Sequence, residues 1–270
     1  MKTISYFVTV LLSVAAIPSD LRLASDEEAA DVTYKYAIDV TALTSPATFH
    51  CLQKNGYATA FVRVYKPDGA GQVDQDGIAN IKNAHSVKMG VEIYHTPAVQ
   101  SNKPGAQQLD ETLSALRSAG ITVNMIWLQV TSPNNWGSNY QFNINFISSF
   151  LTGANKYNIS VGIYTNWYDW SQITSSWTGW TSAQRIQLWY WNTNGVGPNA
   201  EGSADFGDLR AFGGWTKPTI KQFGLQFASC GAVFNRNAYV SDTSLSRFAL
   251  ERSEKAGIFV GTTFPKVSIL

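Results

Sequence analysis

Ile121–Trp136, ITVNMIWLQVTSPNNW, decides how the chain is read. Met125-Ile126-Trp127-Leu128 is an apolar run of strand length. A helical pattern ending at Ala119-Gly120 precedes it, and the loop-forming Thr131-Ser132-Pro133-Asn134-Asn135 follows. A continuously apolar strand between helices is what a parallel sheet covered on both faces requires. If such a sheet closes into a barrel, chemistry belongs at the C-terminal end of this strand, on Gln129, Val130 and Thr131. Gln129 and Thr131 lie two apart and share a face toward the mouth, with Val130 turned away. An amide and a hydroxyl thus stand where a hydrolase would hold carboxylates.

The same pattern extends in both directions. Tyr36–Val40, Ala60–Tyr65, Val91–Tyr94, Ser160–Tyr164, Gln187–Trp191 and Thr219–Phe223 read as further strands. Ser45-Pro46 opens a helix running to Lys54, and Gly77–Lys88 forms a second. Gly105–Ala119 places Leu109, Leu113 and Leu116 on one face; Phe142–Tyr157 does the same with Phe146, Ile147, Phe150 and Leu151. Repeated β-α units over about 200 residues predict an α/β protein: a single irregular (β/α) TIM-like barrel of parallel strands over residues 34–240, its helices thinning in the last third.

Outside the barrel, Met1–Ala16 has the layout of a secretory signal: Lys2, the apolar run Phe7–Val14, then small residues. Residues 17–33 carry SDEEAAD and read as a solvated leader. Residues 241–270 form a tail with no assignable role, although Leu245, Phe248 and Ala249 could begin an amphipathic helix. Secretion makes a disulfide between Cys51 and Cys230 the expectation, against two buried thiols. A net charge of +1 gives no reason to propose nucleic acid or an acidic membrane as partner. Neither a phosphate loop nor G-x-S-x-G nor H-E-x-x-H occurs, and His50, His85 and His95 lack ligand spacing. We therefore read a secreted monomer needing no metal or cofactor.

The carboxylates at strand ends are the better lead. Asp39 closes the first strand, and Glu92 shares a face with Tyr94 in the third. Each either faces a polar cavity or sits in a buried ion pair or cap, because a charge in an apolar strand is otherwise costly. Seven of the nine tryptophans fall between Trp136 and Trp191 among Asn, Ser, Thr and Tyr. Aromatic faces beside amides and hydroxyls suit a sugar cleft. Trp136 and Trp167, on loops, are read as exposed stacking residues; Trp127, Trp189 and Trp191 could equally be barrel core.

Several segments taken together resemble glycoside hydrolase family 25, in its amoebal and nematode lysozyme-like branch. They are Tyr36–Val40, Gly162-Ile163-Tyr164-Thr165, Leu188-Trp189-Tyr190 and the stretch FGGWTKPTIKQF at Phe212–Phe223. The resemblance spans roughly Tyr34–Tyr239. It implies an irregular (β/α) barrel that binds bacterial peptidoglycan or a related glycan and hydrolyses its muramic acid–glucosamine linkage in antibacterial defence. The family's acids are an Asp ending strand one, an Asp-x-Glu ending strand four and an Asp near the last strand, with the Glu as general acid, a substrate-assisted variant of the two-carboxylate scheme. Asp39 matches the first. Gln129 and Thr131 stand at the Asp-x-Glu, and Asn235 at the last. Taken together with the reading of the residues above, the substrate-binding candidates are Tyr94, Gln129, Thr131, Trp136, Tyr164, Trp167, Trp189 and Asn235, with Asp39 and Glu92 as the catalytic candidates. Three of four acidic positions are neutral, so one reading is a hydrolase using Glu92 as a relocated acid. The other is a glycan-binding protein without turnover.

Overall fold

The computed structural model describes residues 33–180, 186–240 and 257–265. The expected signal segment, nearly all of the leader and much of the tail, including its candidate helix, lie outside the described residues. In chain order the elements are β1 (Tyr34–Val40), α1 (Pro46–Lys54), β2 (Tyr57–Lys66), β3 (Gln72–Val73), α2 (Gln75–Ser86), β4 (Gly90–His95), α3 (Gly105–Ser118), β5 (Ile121–Val123) and β6 (Met125–Gln129). There follow α4 (Tyr140–Lys156), β7 (Ser160–Thr165), α5 (Trp167–Thr174), β8 (Gln187–Trp191), β9 (Ile220–Ser229), β10 (Ala232–Val240) and β11 (Ile258–Val260).

Eight strands close a barrel in the order β1-β2-β4-β6-β7-β8-β9-β10 and back to β1. Neighbours from β1 round to β9 are parallel, each reached through a crossover. β10 is the exception, antiparallel to both β9 and β1. The cause is local. Only Cys230 and Gly231, both at positive φ, separate β9 from β10, and a connection that short can make only a hairpin. Cys230 in that turn is bridged to Cys51 of α1 across 179 residues of sequence, so the disulfide ties the first helix to the closing hairpin. On the loop-entropy estimate a bridge of that span is worth about 5 kcal/mol.

Helix starts follow the sequence. Ser45 Oγ accepts from Thr48 N at 3.1 Å ahead of Pro46, and Asn139 Oδ1 accepts from Phe142 N at 3.1 Å. Alternation along the strands then separates two cores. Val62, Ile93, Ile126, Leu128 and Ile163 face helix residues such as Leu109, Leu113, Phe146 and Phe150. Phe61, Tyr94, Met125, Trp127, Tyr164, Trp189 and Tyr239 fill the inside of the barrel. Gly162 is required there: a Cβ at that position would sit 2.2 Å from the Trp127 ring.

The tail has a structural role that the sequence did not reveal. β11 pairs in parallel with β5, and Gly261 N donates to Val91 O at 3.0 Å. Phe264 then enters the inner core, with ring centroids 5.7 Å from Trp127, 5.5 Å from Tyr239 and 6.3 Å from Phe61. Residues 257–265 thereby floor the barrel at the N-terminal ends of its parallel strands. Glu92 lies in that floor, fully buried. Its carboxylate accepts from Thr263 N at 2.8 Å and Trp127 Nε1 at 3.2 Å.

Burial pushes the Glu92 carboxyl up to about 7 despite those two donors. A carboxyl whose folded pKa lies above its unfolded value favours folding in its protonated form. Its contribution is complete below the usual carboxylate range and is lost as pH rises through about 7. The shift is worth at most about 3 kcal/mol. His95, buried and held neutral with its pKa lowered to about 3, acts in the opposite sense and costs stability as pH falls below its ordinary value. Thermal melting from about pH 4 to about pH 8 should therefore show wild type losing stability relative to Glu92→Gln as pH rises, the two curves converging in shape at the acid end. Parallel curves would place Glu92 in contact with water.

Candidate functional site

The open end of the barrel, at the C-terminal ends of the parallel strands, gathers neutral polar side chains around one carboxylate. Asp39, next to last in β1, is 4% exposed. Its Oδ1 accepts from Asn235 Nδ2 at 2.8 Å; its Oδ2 accepts from Gln222 Nε2 at 2.8 Å and Asn237 Nδ2 at 2.9 Å. Each amide is oriented from its other end. Gln222 Oε1 accepts from the Tyr164 hydroxyl at 2.7 Å, Asn237 Oδ1 from Trp189 Nε1 at 2.9 Å, and Asn235 Oδ1 from Gln226 N at 3.0 Å. The three NH2 groups can only face the carboxylate. Burial nevertheless raises Asp39 above the usual carboxylate range, more than these bonds lower it. Tyr94 and Tyr164, buried nearby, are pushed well above the ordinary phenol range, first by burial and then by the Asp39 charge.

At the end of β6, Gln129 and Thr131 meet on one side while Val130 packs into the helix-facing core. Gln129 Nε2 donates to Thr131 Oγ1 at 2.9 Å, and Gln129 Oε1 accepts from Thr96 Oγ1 at 2.6 Å. No member of this trio can release a proton near neutral pH. Beside it lies a pocket of about 330 Å³ between the loops that follow β2, β4 and β6. Thr96, Gln129, Thr131, Asn134, Asn135 and one edge of Trp136 help to line it.

One mouth carboxylate escaped the sequence reading. Asp169, in the first turn of α5, is 2% exposed. Its Oδ2 accepts from Trp191 Nε1 at 2.9 Å, and the carboxylate also accepts from Ser132 N. Burial raises it. Ser132 sits at φ 58°, so this bond holds a left-handed residue directly after Thr131. The signal was present in the sequence: Asn166 Oδ1 caps α5 through Asp169 N at 2.8 Å, an Asn-x-x-Asp start hidden among tryptophans. Arg63, also missed, donates from Nε to Asp74 at 2.8 Å.

The structure moves three sequence candidates. Glu92 lies in the barrel floor under Phe264, not at the mouth, because it stands early in β4. Trp136 is 6% exposed, donates to Thr131 O at 3.1 Å and meets Phe146 edge-on, so it packs rather than projecting over the mouth. Trp189 is fully buried and stacks on Tyr164 at 4.1 Å in the inner core, the alternative the sequence left open. Asp39, Gln129, Thr131 and Asn235 are at the mouth, with Tyr94 and Tyr164 buried near Asp39. Trp167 is 43% exposed at the start of α5, with the Arg210 guanidinium 4.1 Å over its ring. His95 is structural: buried, stacked on Tyr65 at 4.2 Å and 3.1 Å from Thr112 Oγ1.

The fold as a whole is shared with solved lysozymes. The Streptomyces coelicolor lysozyme superposes with a TM-score of 0.60 at 19% identity, covering 84% of this chain and 100% of that one. The family GH25 lysozyme of Aspergillus fumigatus does so at 0.59 and 14%, covering 80% and 98%. In sequence, the model of the family described as lysozyme-like protein 1 matches residues 30–223. Lysozyme-like protein 7 of Caenorhabditis elegans is 43% identical over 84% of this chain and 80% of its own length. A probable GH family 25 lysozyme of Dictyostelium discoideum is 29% identical over 75% and 89%. The chain belongs to the lysozyme-like proteins of glycoside hydrolase family 25.

Burial separates two of the tryptophans read alike from sequence. Trp136→Ala should cost about 3–5 kcal/mol of stability, the range for a large buried aromatic. Trp167→Ala should leave the melting temperature within a degree or two, as exposed substitutions do. Equal melting temperatures for the two variants would contradict the placement of Trp136.

Proposed function

We propose that this protein is secreted, binds bacterial peptidoglycan at the barrel mouth in antibacterial defence, and hydrolyses it very slowly or not at all. One observation carries the reading. Where the family pattern places Asp-x-Glu, the chain has a hydrogen-bonded Gln129–Thr131 pair with Thr96 beside it. Amide and hydroxyl groups keep the polar contacts a sugar uses but supply no general acid, a loss of about 10²–10⁴-fold in rate. The burial of Glu92 in the floor argues against its service as a relocated acid. Family membership and the lysozyme folds above support the glycan as ligand. The signal-like N-terminus supports secretion.

The reading is tested by putting the acids back. Gln129→Asp combined with Thr131→Glu should give measurable lysis of a cell-wall suspension, at least tenfold above wild type, and adding Asp39→Asn should abolish the gain. A folded double variant that binds cell walls yet gains no lysis would show that the missing carboxylates are not what limits turnover.

A further inference from the structure

An exposed cation at the rim of the mouth has no anionic partner among the described residues. Trp167, the first residue of α5, lies two positions beyond the C-terminal end of β7. Asp169, in the same helical turn, is tied to Ser132 N after β6 and to Trp191 Nε1 at the end of β8. Those two bonds fix the start of α5 at the mouth end of the barrel. The Arg210 guanidinium, from the connection between β8 and β9, lies 4.1 Å over the Trp167 ring. No other cation among the described residues approaches a ring face so closely.

Arg210 is exposed, and its charge is not used within the fold. Asp208, two residues before it, is held instead by the buried Lys221 Nζ at 2.6 Å and by Asn192 Nδ2 at 2.8 Å. Arg63 and Arg236, by contrast, are paired with Asp74 and Glu201. A guanidinium drawn to a ring face stays planar and charged, and its N–H fork remains available to a carboxylate. The ring also restricts where the fork can point, which lowers the entropy lost on binding. Tyr168, exposed and edge-on to Trp167 at 5.9 Å, adds apolar surface beside the charge. We infer that Arg210, backed by Trp167, is a rim site for a free carboxylate on the peptide stems of peptidoglycan. In that polymer the lactyl carboxyl of muramic acid is consumed in the amide link to the stem, so the free carboxylates belong to the stem itself. Its alanine methyls suit the aromatic surface next to the guanidinium. The inference rests on the peptidoglycan reading above and names the part of the polymer that the rim recognises.

Retention of the full chain on insoluble peptidoglycan, stripped of other wall polymers and bearing free stem carboxylates, tests it. The comparison is the same material with those carboxylates converted to methylamides, which leaves the glycan untouched. Wild type should bind the unmodified material about fivefold more tightly, the scale of one exposed ion pair. Arg210→Gln should bring the two affinities together by weakening only the first, and Trp167→Ala should reduce the preference because the fork loses its support. Melting curves check that both variants fold. Equal binding of the two materials by wild type would overturn the inference while leaving the peptidoglycan reading standing. A preference that Arg210→Gln retains would also overturn it, by placing the carboxylate elsewhere. Retention on neither material would contradict the peptidoglycan reading itself, and the rim site with it.

Discussion

The carboxylate of Asp39 is where the two ends of the barrel are held together. It leaves β1 and is gripped by amides from β9 and β10, the hairpin that closes the sheet. The disulfide crosses the same seam, from α1 to the turn of that hairpin. A buried carboxylate survives only if its acceptors are filled, and here three amides fill them. Each amide is in turn fixed by a tyrosine, a tryptophan or the backbone, so the network specifies one geometry. Asn235 matters most in this respect. An aspartate there would set two carboxylates against each other and force one to hold a proton. The asparagine turns an acid–base pair into a cradle for a single charge.

The end of β6 shows the same exchange of chemistry for hydrogen bonding. Gln129, Thr131 and Thr96 satisfy one another, and Asp169 fastens the residue that follows. The end of β6 is therefore well ordered without itself carrying an acid. Order of this kind serves recognition, where fixed donors and acceptors discriminate between ligands, better than proton transfer, where a group must change its charge.

Most of the barrel was legible in the sequence because its strands are apolar runs punctuated by Gly and Asn at regular spacing. The positions of Asp39, Gln129 and Thr131 followed from strand ends, whereas Asn235 was reached only through the family resemblance. What stayed hidden has physical reasons. β10 carries Asn235, Arg236 and Asn237 in mid-strand, since its inner face lines a polar mouth, and so it lacks the apolar signature. β11 is three residues long and earns its place only through tertiary contacts with β5 and the inner aromatic layer. Tryptophan misled at one position: a loop suggested exposure for Trp136, yet its indole folds back to Thr131 O. Glu92 and Asp39 look equivalent in sequence, each a lone acid in an apolar strand. Only their heights along the barrel separate a floor residue from a mouth residue.

On the function proposed above, the barrel keeps a glycan-binding mouth while lacking the general acid for hydrolysis. The direct measurement is made on one sample of purified wild type mixed with insoluble peptidoglycan. Protein retained in the pellet and reducing ends released into solution are followed over the same hours. Saturable retention with release indistinguishable from a protein-free control is the predicted result. Rapid release of reducing ends by the wild type would contradict the account.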